Sequence, residues 1–134
     1  MCENISLWCS YQKILFKMPQ QPVYACFAIL TAFNPGSIVI NNSNNILRNE
    51  LLRSQLENLT KGVQSVICQA PDRSWQEPSF IAPISLVQAK QLARQWQQNA
   101  IYWVESGELF LVPVLMEDVM TMKLGQIKDF FYTE

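Results

Sequence analysis

Histidine is absent from the whole 134-residue chain. Its absence excludes Ser-His-Asp and Cys-His catalysis, and it excludes metal sites built on imidazole, because each of these needs a histidine ring. The four cysteines, at positions 2, 9, 26 and 68, show no C-x-x-C spacing. Neither a zinc knuckle nor a thioredoxin-type redox motif is therefore present. We predict no metal site and no cofactor.

Charge is also scarce, since charged residues make up 16% of the chain and the net charge is −1. The basic residues are scattered, so neither nucleic acid nor an anionic membrane is a predicted partner. The longest apolar run, roughly residues 23–33, is too short to span a bilayer. The N-terminus lacks the basic and apolar regions of a signal peptide. The predicted location is the cytoplasm.

The hydrophobic fraction of 49% is typical of a globular chain. A length of 134 residues is enough to bury a sizeable core in one domain. We therefore predict a single domain over residues 1–134. Its core lies at about residues 11–114, with a short N-terminal helix and a C-terminal tail packing on it.

Apolar patterning and turn residues divide the chain into strands and helices. Predicted strands lie at residues 11–17, 23–32, 63–70, 79–83, 100–104 and 108–114. Main helices are predicted at 45–60 and 85–97, the second opened by a capping box of Ser85 and Gln88. The predicted fold is an α+β two-layer sandwich, with a mixed sheet of five to six strands and two main helices on one face.

The order of these elements predicts how neighbouring strands pair. The first two strands are expected to form a hairpin, and the strand at 79–83 is expected at an edge of the sheet. The strands at 23–32 and 63–70 flank the first main helix, so a right-handed crossover should make them parallel neighbours. Residues 116–134 are ambiguous, with a short helix near Val119–Leu124 as one interpretation.

A candidate site follows from the stretch F-A-I-L-T-A-F-N-P-G at residues 27–36, where a buried strand ends in polar groups. Thr31 and Asn34 stand at this strand end. Arg48 and Asn49 lie on the core-facing side of the helix that follows, at its polar N-terminal end. The loop after the parallel strand carries a large aromatic residue, Trp75. We expect these groups to converge at one edge of the sheet.

Convergence of these groups predicts a ligand site made of Thr31, Asn34, Arg48, Asn49 and Trp75. A buried guanidinium needs an acid, a set of carbonyls or a bound anion, and a helix N-terminus favours anions. A small anionic ligand is therefore the predicted partner. The alternative is that the groups satisfy one another, with Arg48 paired to Glu77 or Asp72 and Trp75 covering the core edge.

Three functions remain open on the sequence alone, and so does the oligomeric state. The first is a domain that binds a small molecule or an anion. The second is an enzyme in which Glu77 or Asp72 is the catalytic acid or base beside Arg48. The third is a protein–protein interaction module that uses an exposed sheet face, for example around Tyr102 and Trp103.

Four sequence motifs occur in an order that resembles one known family. They are residues 27–36, R-N at 48–49, S-W-Q-E-P-S at 74–79, and A-K-Q-L-A-R-Q-W-Q-Q-N-A-I-Y-W-V at 89–104, followed by the turn at Gly107. The chain resembles the small bacterial proteins grouped as domain of unknown function 3293. It differs from them at Gln97, where the family pattern has glycine. The resemblance implies a bacterial source and no established chemistry.

Overall fold

The computed structural model describes residues 2–132, which form three α-helices and eight β-strands. The helices are α1 (Cys2–Gln12), α2 (Asn42–Leu59) and α3 (Leu86–Gln95). The strands are β1 (Leu15–Lys17), β2 (Cys26–Leu30), β3 (Gln64–Gln69), β4 (Gln76–Ala82), β5 (Ala100–Glu105), β6 (Glu108–Pro113), β7 (Met122–Gln126) and β8 (Phe131–Tyr132). All eight lie in one sheet, in the order β7-β6-β5-β2-β4-β3-β1-β8.

The predicted two-layer sandwich of five to six strands is wrong, although the chain is α+β overall. The sheet has eight strands and curls into a half-barrel. The two extra strands come from residues 122–132, where the sequence suggested a short helix. Gly125 interrupts the apolar pattern there and lies at an irregularity in the pairing of β6 with β7, so alternation is hard to recognise.

Strand order is the second correction. Both β2 and β3 pair antiparallel with β4, so they run in the same direction but are not neighbours. The predicted hairpin of the first two strands is also wrong, because β1 pairs with β3 and β8. β4 is central and not an edge strand. Its Pro78 is tolerated because β2 pairs only with residues 80–82, so that end of β4 has one neighbour.

The two faces of the sheet bury different apolar clusters. Helices α2 and α3 pack on one face through Leu52, Leu56, Ala89 and Leu92. The concave face buries a second cluster, formed by Ile14, Phe16, Met18, Phe27, Ile29, Val66, Cys68, Ile81, Val104 and Leu109. The C-terminal segment packs against this second cluster. Each face of the central strands is therefore covered.

Alternation along β5 places Tyr102 and Trp103 on opposite faces, as the sequence predicts. Trp103 is buried on the helix face. The hydroxyl of Tyr102 donates to the backbone carbonyl of Tyr11 at 2.5 Å on the other face. The two rings therefore do not form the exposed patch that an interaction module would use.

Helix α2 begins on a polar inner face, as the sequence predicts. Its buried residues are Asn45 and Asn49 in the N-terminal half and Leu52 and Leu56 in the C-terminal half. Asn41 caps the helix by accepting a hydrogen bond from the Asn44 N–H at 2.8 Å. Among residues 2–132, no helix is both long and apolar enough to cross a membrane.

Gln97, two residues after the end of α3, has the left-handed conformation, with φ of 58°. The N–H of Gln98 donates to the carbonyl of Ala93 at 2.8 Å, which closes the helix end. A side chain at such a position is strained, so we expect Gln97→Gly to raise the free energy of unfolding by about 0.5–1 kcal/mol in urea denaturation. As a control, Gln91→Gly on the exposed side of α3 should lower it by about 1 kcal/mol. Equal destabilisation by both variants would contradict this interpretation.

Candidate functional site

A cavity with several polar side chains in its wall lies on the concave face of the sheet, where β2, β4 and β5 approach the C-terminal end of α1. It has room for about 60 Å³ and adjoins a groove of about 260 Å³. Five residues line both spaces: Tyr11, Asn34, Ser37, Trp75 and Glu77. The cavity wall is completed by Ile29, Leu30, Thr31, Cys68, Ser79, Gln98, Asn99, Ala100, Ile101, Tyr102 and Leu111.

Glu77 reaches this cavity because it belongs to β4, whereas the sequence placed it in a loop. Alternation puts Glu77, Ser79 and Ile81 on the concave face, and Glu77 lies directly opposite Cys68 on β3. Burial raises the pKa of the Glu77 carboxyl from 4.5 to about 7, and the hydrogen bond from Asn34 offsets only part of this shift. Glu77 therefore exchanges its proton near neutral pH.

Asn34 presents its amide nitrogen to Glu77 in a fixed orientation. Its Nδ2 donates to Glu77 Oε2 at 3.2 Å. Its Oδ1 accepts from Asn45 Nδ2 at 2.8 Å and from the Ile40 N–H at 3.2 Å. Asn34 also has a left-handed backbone, φ 45°, and its N–H donates to Asn45 Oδ1 at 2.8 Å. These contacts require the Asn34 amide oxygen to face Asn45 and its nitrogen to face the carboxylate.

A second polar wall comes from residues that the sequence did not single out. The Tyr11 hydroxyl is hydrogen-bonded to Ser37 Oγ. Asn99 Nδ2 donates to the Tyr11 hydroxyl at 3.1 Å and lies 3.4 Å from Ser37 Oγ. Asn99 was within reach of sequence reasoning, because it follows the end of α3 inside a motif of the family pattern. No local signal marks Tyr11, which comes from the distant α1.

Arg48 lies behind the cavity and is held by backbone carbonyls. Its Nε donates to the Ala32 carbonyl at 2.7 Å and its Nη2 to the Trp96 carbonyl at 2.6 Å. Its guanidinium carbon also lies 5.2 Å from the centre of the Trp96 ring. Burial lowers the pKa of Arg48. Of the three partners that the sequence allowed, the structure shows carbonyls, and Arg48 forms no ion pair with Glu77 or Asp72 among residues 2–132.

Asn49 and Thr31 also hold the residues that follow β2, and they link them to the Pro78 carbonyl of β4. Asn49 Oδ1 accepts from the Ala32 N–H at 2.8 Å, and its Nδ2 donates to the Pro78 carbonyl at 2.8 Å. The Thr31 hydroxyl donates to the same carbonyl at 2.8 Å and accepts from the Phe33 N–H at 3.1 Å. Asn49 therefore positions the strand end, while Thr31 both positions it and lines the cavity.

The structure thus separates the predicted site residues into three groups. Thr31, Asn34, Trp75 and Glu77 line the cavity. Arg48 and Asn49 support it from behind. Asp72 lies on an exposed turn, where its carboxylate accepts from the Ser74 N–H at 3.0 Å and hydrogen bonds to Ser74 lower its pKa. Only Glu77 of the two candidate carboxylates is placed to meet a ligand in this cavity.

One family model matches the part of the chain that contains most of the residues around the cavity. A family model described as "Protein of unknown function (DUF3293)" matches residues 30–101, more than half of the chain. The chain belongs to this family. The match confirms the resemblance predicted from the motifs. No curated protein and no solved structure matches the chain.

The range that matches the DUF3293 model contains both the supporting residues and most of the cavity wall. Arg48 and Asn49 lie inside it, as do Asn34, Glu77 and Asn99. Tyr11 and Tyr102 lie outside it. Membership of this family brings no chemistry with it, so a function has to be argued from the geometry of the cavity.

Proposed function

We propose that the chain is a small-molecule-binding protein whose ligand occupies the cavity beside Glu77. The observation that carries the proposal is a half-buried carboxylate that is only partly satisfied by the protein. Asn34 donates to Glu77 Oε2, and no other side-chain or backbone group of residues 2–132 donates to the carboxylate. A bound ligand would supply the missing donor. The cytoplasmic location and the bacterial source predicted from the sequence are part of this proposal.

The shape of the site is consistent with a small organic ligand. The cavity is narrow and has both polar and apolar walls, and the adjoining groove adds apolar surface from Leu7 and Val39. Trp75 and Tyr11 line both spaces and supply aromatic surface. Ligand pockets typically combine apolar walls with a small number of polar groups that point into the same space.

The contacts favour a ligand that donates hydrogen bonds over the anionic ligand predicted from the sequence. Arg48 already donates to two carbonyls, and within the described part of the chain the one charged side chain that lines the cavity is the acidic Glu77. An anion would meet the repulsion of this carboxylate without a compensating cation. The anionic ligand remains a prediction that the same experiment tests.

The experiment is a titration of the ¹⁵N-labelled protein with small aromatic compounds that are cationic, neutral or anionic. We expect some of them to bind with dissociation constants of about 1 mM or lower. Chemical shifts should change at the Trp75 indole N–H and at the side-chain amides of Asn34 and Asn99. The Trp96 indole, which donates to Gln55 at 2.6 Å outside the cavity, serves as the internal control. No change, or changes only outside the cavity, would refute the proposal.

A second candidate function is an enzyme that uses Glu77 as its general acid or base. The specific observation in its favour is the pKa of about 7, since proton transfer is most efficient when the catalytic pKa lies near the working pH. In this version the carboxylate works with Asn34, not with Arg48. If the chain is such an enzyme, its reaction rate should depend on pH with a midpoint near 7 and should be lost when Glu77 is replaced.

A further inference from the structure

We propose that the ligand of the Glu77 cavity is an organic cation, a protonated amine, amidine or guanidine joined to a flat apolar group. This inference rests on the proposed function and narrows its ligand class. It is argued from the charge balance of the cavity, from the hydrogen-bond acceptors left open in it, and from its aromatic walls.

Charge balance is the first observation. Glu77 is the only charged residue lining the cavity or the adjoining groove among the described residues. Arg48, which the sequence predicted beside Glu77, donates its hydrogen bonds to the carbonyls of Ala32 and Trp96. A half-buried carboxylate without a cationic partner is costly, and a positively charged ligand removes this cost.

Open acceptors are the second observation. Asn34 keeps its amide nitrogen towards Glu77, because its Oδ1 accepts hydrogen bonds from Asn45 Nδ2 and from the Ile40 N–H. Asn99, which also lines the cavity, turns its amide nitrogen to Tyr11 and Ser37, and no group of residues 2–132 donates to its Oδ1. The free acceptors of Glu77 and Asn99 suit a group with several N–H donors, as in ammonium, amidinium or guanidinium ions.

Aromatic walls are the third observation. Trp75, Tyr11 and Tyr102 line the cavity. The faces of such rings attract cations and also pack against flat apolar groups. A ligand that combines a cationic head with an apolar body would therefore find a partner for each part.

Binding of a cation should be linked to the protonation of Glu77. The other titratable groups lining the cavity are the Cys68 thiol, whose pKa burial raises to about 12, and the phenols of Tyr11 and Tyr102. Burial also raises the pKa of the Tyr102 phenol, so this phenol and the Cys68 thiol are uncharged near neutral pH. A cation stabilises the ionised carboxylate, so below about pH 7 binding must release the proton of Glu77. Affinity should then fall by up to about tenfold for each pH unit below that value.

The test compares benzamidine, benzyl alcohol and benzoate by calorimetry or NMR titration on the full chain. These three probes share an aromatic ring and differ in charge. At about pH 8 we expect benzamidine to bind at least about tenfold more tightly than benzyl alcohol, with benzoate weakest. At about pH 5.5 the affinity for benzamidine should fall by about tenfold or more, while that for benzyl alcohol stays constant.

Variants connect this preference to the proposed residue. Glu77→Gln should abolish the advantage of benzamidine over benzyl alcohol. Glu57→Gln, on the exposed side of α2, is the matched control and should leave all three affinities unchanged. Urea denaturation of both variants shows whether they are folded.

Each other outcome has a definite consequence. Equal binding of benzamidine and benzyl alcohol at about pH 8 would overturn the cationic ligand and leave the proposed pocket standing. Tightest binding of benzoate would overturn it in favour of the anionic ligand. Binding of none of the three, at concentrations up to about 10 mM, would refute the cationic ligand and count against the pocket itself.

Discussion

Replacing Asn49 with alanine is expected to lower the free energy of unfolding by about 3 kcal/mol. Asn49 is only 6% exposed, and its amide joins α2 to two strand ends. Without it, the Ala32 N–H loses its acceptor and the Pro78 carbonyl loses one of its two donors. A buried backbone group left unpaired costs about 1–3 kcal/mol, and the lost side chain adds to this. Urea denaturation of the two proteins measures the difference.

Two further variants separate this contact from a general effect on the helix. Asn58→Ala, on the exposed side of α2, should change stability by less than about 0.5 kcal/mol. Asn49→Asp retains the acceptor for Ala32 but places a carboxylate oxygen against the Pro78 carbonyl, so it should destabilise as well. A loss below about 1 kcal/mol for Asn49→Ala would show that the strand end is held by other contacts.

Replacing Glu77 with glutamine is expected to stabilise the protein above pH 7 and to have little effect near pH 4.5. The folded state binds the Glu77 proton more tightly than the unfolded state does, because burial raises the pKa from 4.5 to about 7. The contribution of Glu77 to wild-type stability is therefore lost as pH rises through this range. At one pKa unit per 1.36 kcal/mol, the full loss is about 3 kcal/mol. Glutamine carries no charge at any pH, so the Glu77→Gln variant does not lose this stability as pH rises.

The measurement is the free energy of unfolding in urea between about pH 4.5 and pH 8.5, for wild type and variant. The difference between the two should grow across this interval and level off above about pH 7. Glu57→Gln is again the control, with a difference that stays small at every pH. A difference for Glu77→Gln that is independent of pH would show that Glu77 is not buried as a neutral acid.

Local sequence patterns predicted the helices around the cavity. Apolar patterning located α2 and α3, a capping box marked the start of α3, and the core-facing Arg48 and Asn49 indicated the polar inner start of α2. The expectation that Asn34 and Trp75 share one space agrees with the lining of the cavity. Each of these inferences depends on residues close together in the chain, or on a strand end followed directly by a helix.

The parts that could not be predicted depend on long-range pairing. Nothing local says that β4 lies between β2 and β3, and the polar run Gln76-Glu77-Pro78 does not read as a strand. A strand there is possible only because β2 ends early and leaves Pro78 with one neighbour. The hydrogen-bond partner of Arg48 could not be predicted either, because a carbonyl, a carboxylate or a bound anion can each accept from a guanidinium.

The short pairing of β8 with β1 has a consequence for the cavity. β8 is a two-residue strand, and the Phe131 ring lies 5.6 Å from that of Phe16. Phe16 in turn meets the edge of Tyr102 at 5.2 Å, and Tyr102 lines the cavity. Short peripheral strands are among the first elements to open in local unfolding. Opening of β8 would therefore loosen the cavity wall at Tyr102 through two successive ring contacts.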